Sequence, residues 1–215
     1  VSRLWQAYMD DLDWKSASEL IDELLHVAPN DYFISEIETR HLQVLKQLKQ
    51  FEPRLNQLSG QLNEAGALSE SELRLLIRMS AQTGDLNLMK EALNQARNRF
   101  SASVSVAELE VDYLRRAGRI KDQIQALQAL IQLKPAREFE YLKRIVRVYQ
   151  NLGDSEKAIQ AAQILVKESP ANAQAFLIYA EVCFSFKRHD EGIRQLNEAI
   201  HWADRPNEIR NRLAR

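Results

Sequence analysis

An all-α fold, built as a stack of antiparallel helix pairs, is what this sequence predicts, and three observations predict it. Glycines stand at Gly84, Gly118 and Gly153, separated by 34 and 35 residues. Pro29, Pro135 and Pro170 end the similar strings ELLHVAP, ALIQLKP and ILVKESP, and the last two lie 35 apart, in phase with the glycines. Between the markers, apolar residues recur at helical spacing: Leu142, Ile145, Val146 and Tyr149 in one run, then Ala158, Ile159, Ala162, Leu165 and Val166 in the next. Two markers in one phase are the signature of a repeat array. Each unit is then a helical hairpin with one apolar stripe per helix, and such a hairpin buries its stripes only by stacking on neighbours.

Taken in order, the units fall near residues 1–31, 32–69, 70–103, 104–138, 139–172 and 173–206, with the start of a further helix at 207–215. Together they predict a single solenoid domain over 1–215. The first unit lacks its opening residues but keeps Leu4, Trp5, Tyr8, Ala17 and Pro29. The second is irregular: it runs to 38 residues and has no turn glycine in register. Phe51-Glu52-Pro53 is its predicted turn, with Pro53 at a helix start. The four extra residues, about one helical turn, are best placed in a lengthened first helix, while Gly60 and Gly66 weaken the second. Such irregularity is either drift or a functional bend. In the fifth unit Gly153 suits the left-handed backbone that closes a helix, Ser155 caps the next one and Pro170 stops it. In the sixth the same turn is written without glycine, at Lys187. The chain begins with Val and breaks off inside a seventh unit, so it reads as a piece of a longer protein.

These units resemble tetratricopeptide repeats, the 34-residue helix–turn–helix family. With Phe139 as the first position, Ile145, Val146 and Tyr149 match the family's apolar and small positions, and Gly153, Ala158 and Pro170 match its turn glycine, second-helix alanine and closing proline. In the next unit, opening at Ala173, Phe176, Tyr179, Ala180 and Ala199 are in register, and Gly192 replaces the alanine where the two helices approach closely. The resemblance covers nearly the whole chain and is poorest in the second unit.

Composition narrows the function. Lys and Arg (29) nearly cancel Asp and Glu (30), which argues against a nucleic-acid or membrane-surface binder held by a broad basic field. One cysteine, Cys183, forms no internal disulfide or multi-thiolate metal site, and its inward position marks it as a small buried hydrophobe. His26, His41, His189 and His201 lack metal-ligand spacing. Asp10-Asp11-Leu12-Asp13 lacks the glycine and distal glutamate of a calcium loop. No glycine cluster cradles a phosphate, and no apolar run approaches the ~20 residues that span a bilayer. Nothing points to catalysis or to a cofactor, and no compartment is fixed.

The informative residues are those the repeat leaves free. The resemblance implies that the fifth and ninth positions of each first helix line a concave groove: Arg74 and Arg78, Glu108 and Asp112, Lys143 and Arg147, Leu177 and Glu181. Their sign alternates from helix to helix. One reading pairs adjacent rows as a ladder of exposed ion pairs, each contributing about 0–1 kcal/mol. The other makes them a charge template for a partner segment. A lysine–asparagine clamp for a peptide carboxylate, familiar in the family, is not implied, because Arg147 stands where asparagine is needed and Gln174 and Ile178 stand for its Lys and Arg. Leu177 and Phe184, with Trp202 just after the second helix, form a C-terminal apolar surface. It is read either as the seam for a seventh helix carrying Ile209 and Leu213 or as an anchor pocket, and homo-association through it is a further partner reading. The leading expectation is a non-enzymatic scaffold that holds a peptide or helix of another protein. The alternatives are a regulatory arm of a larger enzyme or of an envelope or secretion complex, and an RNA-reading helical repeat.

Overall fold

The computed structural model describes residues 13–27, 31–64 and 66–203. Among them are eleven α-helices, one short 3-10 turn and no strand. The helices are α1 (Trp14–Val27), α2 (Asp31–Gln47), α3 (Phe51–Gln61), α4 (Glu70–Thr83), α5 (Leu86–Arg99), α6 (Val104–Arg116), α7 (Ile120–Leu133), α8 (Glu138–Asn151), α9 (Ser155–Glu168), α10 (Ala173–Ser185) and α11 (His189–Trp202). The all-α expectation therefore holds. The chain divides into two compact units, Val1–Arg119 and Ile120–Arg215. The division falls at the Gly118 turn, inside the hairpin expected over 104–138. Leu4, Trp5, Tyr8, Pro29 and the helix expected at 207–215 lie outside the described residues.

One turn recurs through both units. The only positive backbone φ angles in the described residues, Gly66 apart, belong to Lys49 (57°), Gly84 (78°), Gly118 (68°), Gly153 (70°) and Lys187 (61°), spaced 35, 34, 35 and 34 residues apart. At each, the next residue's N–H reaches back to a carbonyl five residues earlier: Gln50 to Leu45 (2.8 Å), Asp85 to Ser80 (3.0 Å), Arg119 to Leu114 (2.9 Å), Asp154 to Tyr149 (3.1 Å) and Arg188 to Cys183 (2.8 Å). This bond satisfies one of the carbonyls that a helix end leaves open. Lys187 thus makes the turn expected of it. In the second repeat the turn lies earlier than Phe51-Glu52-Pro53: Lys49 makes it, and Phe51–Pro53 form the first turn of α3.

In the unit 1–119, α2 is lengthened to 17 residues and α3 is cut to 11, ending just after Gly60. These two helices touch far less than those of the α4–α5, α8–α9 and α10–α11 pairs; α2 packs mainly on α1 and meets α3, α4 and α6 to a similar, smaller extent. The cause is visible in the turn register. Three residues before and five residues after the turn residue, α10 and α11 carry Phe184 and Gly192, whereas α2 and α3 carry Lys46 and Arg54. A Cβ on Gly192 would stand 2.8 Å from the Phe184 ring, so the predicted close approach of α10 and α11 is real. Two cations at the matching positions of α2 and α3 forbid that approach, because a buried unpaired charge costs several kcal/mol. Arg54 turns instead to Glu72 of α4 (3.2 Å). The irregular unit is consequently not a closed hairpin.

The core of this unit gathers Leu42 and Leu45 of α2, Phe51 and Leu58 of α3, Leu73, Leu76, Ile77 and Met79 of α4, Met89 and Leu93 of α5 and Val106 of α6. The connection into α4 is closed by a capping box: the Glu72 N–H donates to the Ser69 hydroxyl (3.3 Å), and the Ser69 N–H donates to the Glu72 carboxylate (3.0 Å). It is tied down by Gln95, which donates to the Leu62 carbonyl (2.7 Å), and by Arg99, which donates to the Leu68 carbonyl (2.5 Å).

In the unit 120–215, each of α7 to α10 packs on the next helix. Tyr141 is fully buried, as are Ala158, Ala162 and Leu165 on α9 and Val182 on α10. Asp154, not Ser155, caps α9: its carboxylate accepts from the Lys157 N–H (3.1 Å). Asn172 caps α10 in the same way (2.9 Å to the Gln174 N–H).

Candidate partner-binding faces

The two basic rows of the predicted groove, Arg74–Arg78 and Lys143–Arg147, occupy the same register in their helices, and the structure treats them oppositely. On α4 the Arg74 side chain is buried. Its Nε donates to Glu38 Oε1 (2.6 Å) and its Nη1 to Glu70 Oε1 (2.6 Å), while Arg78 Nε donates to Glu38 Oε2 (2.6 Å). Ser103, which caps α6, adds a hydroxyl bond to Glu70 (2.7 Å). Both oxygens of one carboxylate, only 2 % exposed, are therefore held by two guanidinium groups. This charge-assisted arrangement is what makes burial of a carboxylate tolerable.

Glu38 belongs to α2, and the groove pattern did not single it out. The turn register shows the signal that would have found it. Eleven residues before the turn residue, the other first helices carry Leu73, Ala107, Leu142 and Phe176, all apolar, and α2 alone carries an acid there. The register was hidden because the turn residue of that repeat is a lysine and not a glycine.

Asp112 on α6 does not pair with Arg74. It accepts from Arg115 (2.5 Å) and Arg116 (2.9 Å) of its own helix. Burial pushes its carboxyl up, but these two guanidinium bonds outweigh burial and hold it below its ordinary value. Arg116 also donates to the Ala81 carbonyl of α4 (3.0 Å). Glu108 is half-buried on the same helix.

On α8, Lys143 reaches Glu140 one turn away (3.1 Å) and lies 6.0 Å from the Phe139 ring centre. Arg147 is exposed. On α10, Glu181 is exposed and Leu177 is half-buried. Leu177 and Phe184 both pack against Phe176, Ala180, Leu196 and Ala199 inside the α10–α11 pair. The reading of Phe184 as an open apolar anchor is corrected accordingly: its ring is spent on Gly192. Trp202 is the last residue of α11 rather than just beyond it, and lies exposed with its ring edge-on to His201.

A buried polar group braces the α10–α11 pair. The Tyr179 hydroxyl donates to Glu191 and accepts from Gln163 Nε2 (2.9 Å), linking α10 to α11 and α9. Burial, then the Glu191 carboxylate, pushes the Tyr179 hydroxyl up to about 12. Cys183 is fully buried, and burial pushes its thiol up to about 11. Among the described residues no three His, Cys, Asp or Glu side chains gather as metal ligands, and no helix is long and apolar enough to cross a membrane.

These features define a helical-repeat protein whose first helices present charged faces. Residues 144–208 match the family model of the tetratricopeptide repeat, and the chain shares the fold of solved helical-repeat proteins. One crystal structure of MamA superposes with a TM-score of 0.55 at 18% sequence identity, covering 74% of this chain and 91% of that one. A second, of MamA protein, gives 0.51 at 15% identity, covering 88% and 91%. YrrB, described as a TPR protein with an unusual peptide-binding site, gives 0.52 at 12% identity, covering 92% of this chain and 100% of that one. No curated protein sequence matches the chain.

Proposed function

We propose that this chain is a non-enzymatic protein-interaction scaffold, and that α8 and α10 take an acidic helix or peptide of another protein, with Lys143 and Arg147 as the cationic contacts and Leu177 and Glu181 beside them. One observation carries the reading. The equivalent basic pair on α4 already holds a carboxylate presented by a helix, Glu38 of α2, so the chain displays on itself the chemistry this register accepts. The peptide-binding site described for YrrB, on the same fold, supports the same class of activity. Specificity would come from charge and shape on a stiff frame.

The test is capture from the native source with the parent chain and with a Lys143→Glu, Arg147→Glu variant. The expected result is a partner retained by the parent and lost by the variant, with unchanged helical circular dichroism, the retained segment being rich in Asp and Glu. Equal capture by both chains would sink the assignment to α8. Reversing Arg74 and Arg78 is a poor control for surface binding, because both guanidinium groups are committed to Glu38.

A further inference from the structure

The arm formed by α1 and α2 is attached to the rest of its unit in an unusual way. It is continuous with α3 through residues 48–50, yet α2 and α3 touch far less than the paired helices α4–α5, α8–α9 and α10–α11 do, and no more than α2 touches α4. Lys46 and Arg54 stand where an apolar ring and a glycine close the α10–α11 pair. The arm's specific hold is on α4, where Glu38 lies between Arg74 and Arg78, while Leu42 and Leu45 enter the core common to α3, α4, α5 and α6. The connecting turn also keeps Lys49 at a φ of 57°, a left-handed conformation that a lysine adopts only under strain. A weakly packed connection, a strained turn and a specific distant seat are together the conditions for exchange of an element between identical chains.

We infer that the α1–α2 arm exchanges between two copies of this chain, Glu38 of each copy seating between Arg74 and Arg78 of the other. Every contact of the seat is kept, because the second copy offers the same residues. The turn at Lys49 opens, which releases its left-handed strain, and that gain offsets part of the entropy lost on association. Pro53 prevents α2 and α3 from fusing into one straight helix, since its ring clashes with the carbonyl four residues earlier; the exchanged chain crosses over at residues 48–52. Reciprocal exchange is closed and two-fold, so it stops at a dimer.

The test uses the 215-residue chain under reducing conditions. Glu38→Arg alone and the pair Arg74→Glu, Arg78→Glu alone each place like charges in their own seat. A single chain carrying all three changes restores attraction within itself. Mass is read by light scattering after separation by size. The expected result is a 1:1 heterodimer when the first two variants are mixed, neither forming a dimer alone, and a folded chain for the triple variant. A mixture that stays monomeric while the triple variant is helical overturns the inference, because the seat then works only within one chain.

Should the single variants not fold, the unmodified chain decides. Refolded at high concentration it should give a dimer that parts slowly on dilution, and Lys49→Gly should lower that dimer at least threefold. Refolding to monomer at every concentration overturns the inference.

Discussion

The helices α2 and α10 both end on a left-handed lysine closed by the same backbone bond, yet α10 folds back closely on its partner and α2 meets its partner no more closely than it meets α4 or α6. Eleven residues before the lysine stands Phe176 in α10 and Glu38 in α2. Three before and five after stand Phe184 and Gly192 in one case, Lys46 and Arg54 in the other. Backbone geometry at the turn is therefore shared, and the side chains around it decide where the helix goes. The apolar set closes a hairpin; the charged set needs counter-charges, which α4 supplies through Arg74, Arg78 and Glu72.

The comparison breaks most readily at Glu38. Glu38→Ala takes from the buried Arg74 one of its two carboxylate partners, leaving Glu70, and should cost about 3 kcal/mol in urea unfolding. Exchanging the ionic set for an apolar one, Glu38→Leu with Arg74→Met and Arg78→Met, should recover most of that loss. A cost below about 1 kcal/mol for Glu38→Ala would mean that α2 is seated by Leu42 and Leu45 alone. Arg147→Ala, on the matching exposed row, should move stability by no more than about 0.5 kcal/mol.

The next test lies at the closed hairpin. Gly192→Ala drives a methyl into the Phe184 ring and should cost about 1–3 kcal/mol. Phe184→Leu in the same chain should return part of it. Equal effects of Arg54→Ala and Gly192→Ala on thermal unfolding would erase the distinction between the two hairpins.

The two lysine turns should answer alike. Lys49→Gly and Lys187→Gly each remove a left-handed penalty and should stabilise by about 1 kcal/mol, whereas Gly153→Ala should lose a similar amount. A gain at Lys187 without one at Lys49 would show that the α2 turn is already relaxed in solution.

The smallest effect concerns acid. The Ser69 N–H first, then the Ser69 hydroxyl and Arg54, hold the Glu72 carboxyl below its ordinary 4.5 against burial. A folded-state value below the unfolded one gives stability that is complete above about pH 4.5 and is lost as pH falls through the lower value. Glu72→Gln should flatten that part of the pH–stability curve while leaving the neutral limb nearly parallel to the parent's.

Much of the fold was legible in the sequence because glycine and proline report backbone needs directly. Gly84, Gly118 and Gly153 occupy left-handed positions, and the run from Glu138 to Glu168 folds as its apolar periods require. The site was less legible for a physical reason: exposure depends on the neighbour. Arg74 and Lys143 share one register position, but only Arg74 meets an acid from another repeat. Finding Glu38 required placing Lys49 as a turn residue, and lysine carries no such preference. Phe184 misled because an aromatic side chain on a first helix serves equally as an anchor or as a plug against a glycine, and the difference is made by Gly192 on the opposite helix.

The burial of Cys183 has a practical consequence. It is the only sulfhydryl in 215 residues, it is fully buried on α10, and its ionisation is held near 11, so an alkylating reagent at neutral pH acts only on chains whose α10–α11 hairpin has swung open. The labelling rate at this single atom is thus a clock for local breathing of one helix pair. Compared with the rate of global unfolding, it separates opening of the α10–α11 pair from melting of the whole molecule.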